Sequence, residues 1–364
     1  MSAPPHGAGL HLQIPNSAAP GLAAIYRRRT HRKQVALLLA AAALLCFMLI
    51  DIAVGPAGYA FADIIHALVA PSSAPPEVRA IIWNIRMPTA LMAGVVGASL
   101  AVAGGQMQTV LANPLASPFT LGISAAAGFG AALALAFGFA ILPAFLDYVV
   151  PLNALFMALL AAGLIHAFSL QRRATTESIV LLGIALVFSF NAFLTLVQFF
   201  ASEQAVAAVV FWTMGSLTKV TWAKLAISTS VLAVVLPIFA HRAWSLTRLR
   251  LGEDKAASLG VNVRHLKLET MALVALLAAV PVAFVGTIGF VGLVGPHIAR
   301  LLIGEDQRFF LPASALCGAA LLSASSILSK TLIPGTLLPI GIVTALIGVP
   351  FFVLLILRSV RTGP

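Results

Sequence analysis

Two stretches carry residue types that could do work. Gly286–Arg300 (GTIGFVGLVGPHIAR) is apolar, dense in glycine, and closes on Pro296, His297 and Arg300. Leu251–Val261 (LGEDKAASLGV) is short and charged and lies between long hydrophobic runs. Near it Leu251, Ala256, Leu259 and Val263 recur at helical spacing. Glu253 and Asp254 stand near its start, where acids suit the helix dipole, and Gly260 reads as a C-terminal stop. A short amphipathic helix on a membrane surface follows. Its chemistry is docking of something soluble. Neither stretch pairs a nucleophile with a base. Cys46 and Cys317 lie inside apolar runs and read as buried small hydrophobes with no metal spacing. His166 reads as a satisfied interfacial histidine, and His6 and His11 form no site.

These stretches must be held by membrane helices. Of 364 residues, 60% are hydrophobic and only 9% charged, against about 25% charged in a soluble domain. A mean hydropathy of +1.04 agrees. A span needs about 20 apolar residues. Ten candidates are found at 34–54, 88–110, 118–140, 150–170, 178–200, 224–242, 267–286, 287–303, 309–329 and 338–358. Only Gly286 marks the turn between the seventh and eighth. Residues 1–33 read as a disordered cytoplasmic tail and 359–364 as a second tail. Arg27–Lys33 followed by Val35–Ile50 resembles a signal peptide, but DIAVGPAGYA is a poor cleavage site, so a retained first span is expected.

The net charge of +11 forms no basic face for phosphates, which excludes nucleic acid. With the N-terminus inside, seventeen of the 22 Lys and Arg residues fall on the cytoplasmic side. Arg79, Arg86, Lys219, Lys224 and Lys330 fall outside. That bias supports an even span count with both termini cytoplasmic. Trp83, Trp212 and Trp222 fall at the outer boundary and Trp244 at the inner one. Two connections exceed a turn: 55–87 outside and 243–266 inside.

All eleven acids lie in loops or at span ends, which counts against an ion-coupled carrier. There is no G-x-x-x-x-G-K-[ST] loop, so any nucleotide belongs to another subunit. Gly94, Gly97, Ala98, Ala101, Gly104 and Gly105, with Gly122, Ser124, Gly128 and Gly130, permit close helix approach. Asn113–Pro118 reads as a rigid turn, and Gln108 as a hydrogen-bonding group at the inner surface.

Taken in order, several pieces resemble the FecCD-type iron-chelate, haem and cobalamin permeases of type II ABC importers. They are Arg86-Met87-Pro88, Ala103-Gly104-Gly105 through Gln108, Asn113–Ala116, Leu121–Ser124, Trp212–Ser216, Leu251–Gly260, Gly289–Arg300, and Leu338–Gly341 through Pro350-Phe351. The resemblance covers about 80 to 358. It implies an all-α polytopic membrane protein of about ten transmembrane helices, built like a cobalamin-importer permease, with the permease domain at 34–358 and a coupling loop at 243–266. It also implies a homodimer in the bacterial cytoplasmic membrane, two ATPase subunits holding ATP and Mg, and a periplasmic or extracellular substrate-binding protein. The chain itself would need no cofactor or metal and would be no enzyme.

Position by position, the resemblance assigns Leu251, Gly252, Glu253, Ala256, Leu259 and Gly260 to ATPase coupling. It assigns Arg86 and Lys330 to binding-protein docking and Thr176, beside Glu177, to a cytoplasmic gate. A second basic docking position is Thr89 here, for which Lys219 or Lys224 could compensate. The expected cargo is an iron–siderophore complex, with haem or cobalamin as the alternatives, and an ion-coupled carrier as a more distant one.

Overall fold

The computed structural model describes residues 19–55, 58–145, 148–171 and 175–361. In chain order the helices are α1 (Ala19–Ala53), α2 (Phe61–Val69), α3 (Pro76–Ile81), α4 (Met87–Val110), α5 (Ile123–Phe137), α6 (Val149–Ser169) and α7 (Thr176–Phe200). They continue with α8 (Glu203–Thr213), α9 (Trp222–Leu249), α10 (Glu253–Ser258), α11 (Val263–Val285), α12 (Val291–Ile303), α13 (Gln307–Thr331) and α14 (Ile340–Arg361). Among the described residues seven helices are long and apolar enough to cross a membrane, and α5, α12 and the Ile340–Leu354 part of α14 are shorter apolar helices. Each of the ten expected spans coincides with one of these ten.

Helix α4 is the centre of the bundle. Nearly every residue from Pro88 to Val110 is buried, and glycine makes this possible. A Cβ on Gly97 would stand 2.3 Å from the Gly318 carbonyl oxygen of α13. One on Gly104 would stand 1.8 Å from the Gly292 carbonyl oxygen of α12. Backbones therefore touch along two seams, which fulfils the small-residue expectation. Two apolar cores flank α4. One gathers Met92, Val96, Ile123, Ala279 and Leu322, the other Met107, Leu121, Phe239, Leu246 and Leu277.

Three features differ from expectation. First, α1 begins at Ala19, so residues 19–33 of the expected tail are helical; residues 1–18 lie outside the described ones. Ala, Leu, Arg, Lys and Gln are strong helix formers, and an adjoining span extends through them without nucleation cost. Second, the 55–87 connection folds into α2, α3 and a π-helical turn at Ile82–Arg86 that runs straight into α4. Third, α8 folds from the end of α7 back into the bundle. Its last residue, Thr213, lies against Gly128 halfway along α5. Trp212 is half-buried and packs against the first core. Trp83 and Trp222 fit an outer belt, donating to the Ala67 and Trp83 carbonyls at 2.9 Å each. Arg172 and Arg173 lie outside the described residues.

Helix α12 has 13 residues, about 20 Å of length, too short to span about 30 Å of hydrocarbon. It starts after a five-residue corner, 286–290. Gly286 there has φ 78°, and a Cβ on it would meet the Trp212 carbonyl oxygen at 2.3 Å. Phe290 takes φ 65°, which a non-glycine residue adopts only under tertiary constraint.

Candidate functional site

The bundle has two unlike ends, one carrying α10 and the other α2 and α3. At the first, α9 stops at Leu249 and Gly252 turns the chain with φ 105°. Helix α10 closes with paired bonds, Gly260 N–H to the Ala257 carbonyl at 2.9 Å and Val261 N–H to the Ala256 carbonyl at 3.1 Å. With Gly260 at φ 81° this is a Schellman ending, so Gly260 is the stop the sequence suggested. Of residues 251–260 only Ala256 is buried; it sits in the second core, with Val261 packed alongside. Lys267 of α11 pairs with Glu253. Anchored on that side, the helix leaves Leu251 58% and Leu259 52% exposed. Two leucines standing out of a charged surface helix form a contact surface without a partner among the described residues.

Beside α10 lies a polar cluster that sequence reasoning missed. Arg250, which ends α9, pairs with Glu305 in the α12–α13 corner. Arg300 of α12 lies 3.2 Å from the same Glu305 oxygen and donates to Gln108 Oε1 of α4 at 3.0 Å. Gln307 accepts from Gln106 and donates to Thr109, both at 3.0 Å, and its N–H donates to Thr247 Oγ1 of α9 at 3.1 Å. The neighbouring Asp306 is occupied by the Arg308 guanidinium at 2.6 and 3.0 Å, which holds its carboxyl below the usual range. Gln108 is buried in this cluster, where its hydrogen bond with Arg300 near the end of α4 links α4 to α12. The available signal was an unusual density of Gln, Arg and Glu at one end of three spans.

At the opposite end a cavity of about 780 Å³ opens between α3, α4, α8 and α13. Arg86, Thr89, Ser216, Lys219, Ser329 and Lys330 supply its polar wall. Arg86 and Lys330, to which the resemblance assigned docking, both stand in this wall and both reach back to α1. Arg86 is 5% exposed. Its guanidinium donates to the Ile52 and Ala53 carbonyls at 3.1 and 2.8 Å and lies over the Tyr59 ring. Lys330 Nζ lies 2.8 Å from Asp51 Oδ1 and 3.0 Å from the Asp51 carbonyl. Both cations serve the last turn of α1, where unsatisfied carbonyls and the helix dipole favour positive charge. Lys219 is the exposed cation at this rim, and Lys224 donates to its carbonyl at 2.7 Å.

A second, shallower hollow of about 600 Å³ opens to one side, lined by Phe119, Met214, Phe290, Ile342 and Leu346 with Thr213 and Thr287. Its wall is mostly apolar. Thr287 donates to the Thr213 carbonyl, joining the corner before α12 to the end of α8. Thr176 and Glu177 form the first turn of α7. Thr175 caps it, its hydroxyl accepting from Ser178 N–H at 3.2 Å and Ser178 Oγ accepting from Thr175 N–H at 2.9 Å. That box accounts for the local geometry. No group of three or more metal-ligating side chains occurs among the described residues.

The family model described as the FecCD transport family matches residues 41–358. The hemin transport system permease protein HmuU of Yersinia pestis is 36% identical over 279 residues, 76% of this chain and 84% of that protein. The vitamin B12 import system permease protein BtuC of Vibrio cholerae is 35% identical over 280 residues, 77% of this chain and 83% of that one. A solved inward-facing conformation of a metal-chelate type ABC transporter superposes with a TM-score of 0.77 at 30% identity, covering 88% of this chain and 98% of the other.

Proposed function

We propose a complex and a cargo for this chain, which belongs to the FecCD transport family and is a multi-pass permease of an ABC importer: two copies form a path across the bacterial cytoplasmic membrane for an iron–siderophore complex. One observation carries the mechanism. Leu251 and Leu259 stand exposed on either side of buried Ala256. That pattern suits a helix seated in the cleft of an ATPase subunit, with Gly252, Glu253 and Gly260 fixing its shape. ATP and Mg are held by two such subunits, and this chain does no covalent chemistry. Both termini lie on the ATPase side. A soluble binding protein docks at the opposite end, where Arg86 and Lys330 stand in the cavity wall and Arg79 and Lys219 are exposed cations. Thr176 and Glu177 border the cytoplasmic exit.

The second copy closes the 600 Å³ hollow. Leu346 of α14 is 63% exposed at its edge, and the hollow lacks a wall on that side. Its apolar lining favours a large chelate held by its organic surface rather than through metal ligation. Haem is the second reading, favoured by the 36% identity to a hemin permease; cobalamin is the third.

The test is ATPase activity of the reconstituted permease–ATPase complex with its binding protein, scanned over ferric siderophores, haem and cobalamin. Stimulation by a loaded siderophore is expected. Stimulation by haem or cobalamin alone would replace the cargo and keep the complex, and no stimulation by any would remove both.

A further inference from the structure

The coupling surface and the apolar hollow sit at opposite ends of one short element. Helix α12 carries Arg300 at its α10 end. At its other end Gly289 and Phe290 line the 600 Å³ hollow. The helical turns from Val291 to Arg300 make a rod of about 15 Å. A rod transmits displacement only if something grips it, and the grip is visible. Arg250 adjoins α10 in sequence and pairs with Glu305. The same carboxylate oxygen lies 3.2 Å from Arg300 Nε. Glu305 is thus one anion between two arginines, one on the coupling side and one on the rod. No other acid shares this position, because Asp306 is held by Arg308.

The far end of the rod is poised. Phe290 holds φ 65° because the corner is squeezed between α8 and α14. A Cβ on Gly348 of α14 would stand 2.4 Å from the Phe290 Cβ. A residue held in a disfavoured conformation by packing can relax when the packing shifts.

We infer that Glu305 is a positioning residue for energy coupling: it joins Arg250 to Arg300, so that movement of α10 is passed along α12 to Phe290 at the wall of the hollow. This rests on the ATPase-docking reading of α10, and the two can fail separately. The Glu305 side chain is 46% exposed, so it adds little to folding stability; its effect lies in linking two elements that move.

The experiment measures cargo transported per ATP hydrolysed in the reconstituted complex. Variants are Glu305→Ala, Glu305→Gln, Arg250→Ala, the Arg250→Ala/Glu305→Ala double variant, and Leu259→Asp. Co-purification with the ATPase and thermal midpoint are recorded for each. Expected is a loss of transport per ATP of about fivefold or more for both Glu305 variants, the scale of a typical coupling energy, with assembly and midpoint unchanged. The double variant should be no worse than the worse single one, because both break one link. Glu305→Asp should recover part of the ratio.

Wild-type transport per ATP in both Glu305 variants, or losses that add in the double variant, would overturn the link. If Leu259→Asp couples normally while Glu305→Gln does not, the docking reading fails and the link stands. If Leu259→Asp uncouples while Glu305→Gln does not, the link fails and the docking reading stands.

Discussion

At the α10 end two leucines stand exposed among charges; at the α3 end two cations are buried among apolar groups. Each end inverts the ordinary sorting of side chains, and the causes differ. Leu251 and Leu259 are exposed because their helix is tied down on its other side by Ala256 and the Glu253–Lys267 pair, and nothing else among the described residues reaches over them. Arg86 and Lys330 are buried because α1 ends against the bundle at Asp51–Ala53 and its carbonyls need donors there. An apolar group left out points to an absent partner; a charge taken in points to one already present.

The largest effect expected from breaking this contrast is functional. Leu259→Asp should abolish ATPase coupling while leaving the thermal midpoint of the purified permease unchanged, since the side chain is 52% exposed. A complex that transports normally with this substitution would remove Leu259 from the contact. The lesson of the exposed end would then apply to lipid or solvent only.

The α3 end should respond the other way. Removing one member of a buried ion pair costs about 3–5 kcal/mol, because the other charge is stranded. The Lys330 and Asp51 side chains are 10% and 0% exposed. Lys330→Met should therefore lower the thermal midpoint sharply. Adding Asp51→Asn should restore most of it. An unchanged midpoint in Lys330→Met would mean that the cation serves an external partner after all.

The sequence made the ten apolar helices legible because length and hydropathy are local properties, and the Gly97 and Gly104 seams because small residues cluster there. It made Gly260 legible for the same reason: a stop is written in adjacent residues. What escaped was set by distant contacts. The contacts of Arg86 and Lys330 with α1 were hidden, since charge near a membrane edge says nothing of direction. Their partners lie 34 and 279 residues away. Helix α8 escaped because its 11 residues fall short of any spanning window and only its packing on α5 turns it inward. Glu305 read as one of several loop acids, because nothing local separates it from Asp306. The separation is made by Arg250, which comes from α9 across 55 residues.

The smallest effect sharpens the contrast within the exposed end. Gly260 takes φ 81°, and a Cβ there would meet nothing within 4 Å. Gly260→Ala should therefore cost only the left-handed backbone penalty, about 1–2 kcal/mol, and should not unfold the bundle. The cost is paid locally, since the Gly260 and Val261 amides close α10 onto Ala257 and Ala256. Hydrogen exchange of those two amides should quicken while amides of α4 stay protected. Transport per ATP should fall modestly, because Leu259 loses its fixed orientation. Gly260→Asn should recover much of both, as asparagine tolerates the left-handed region. If alanine left both amides as slow as in the parent, the Schellman ending would not be what holds Leu259 outward, and the anchoring would fall to Ala256 and the Glu253–Lys267 pair alone.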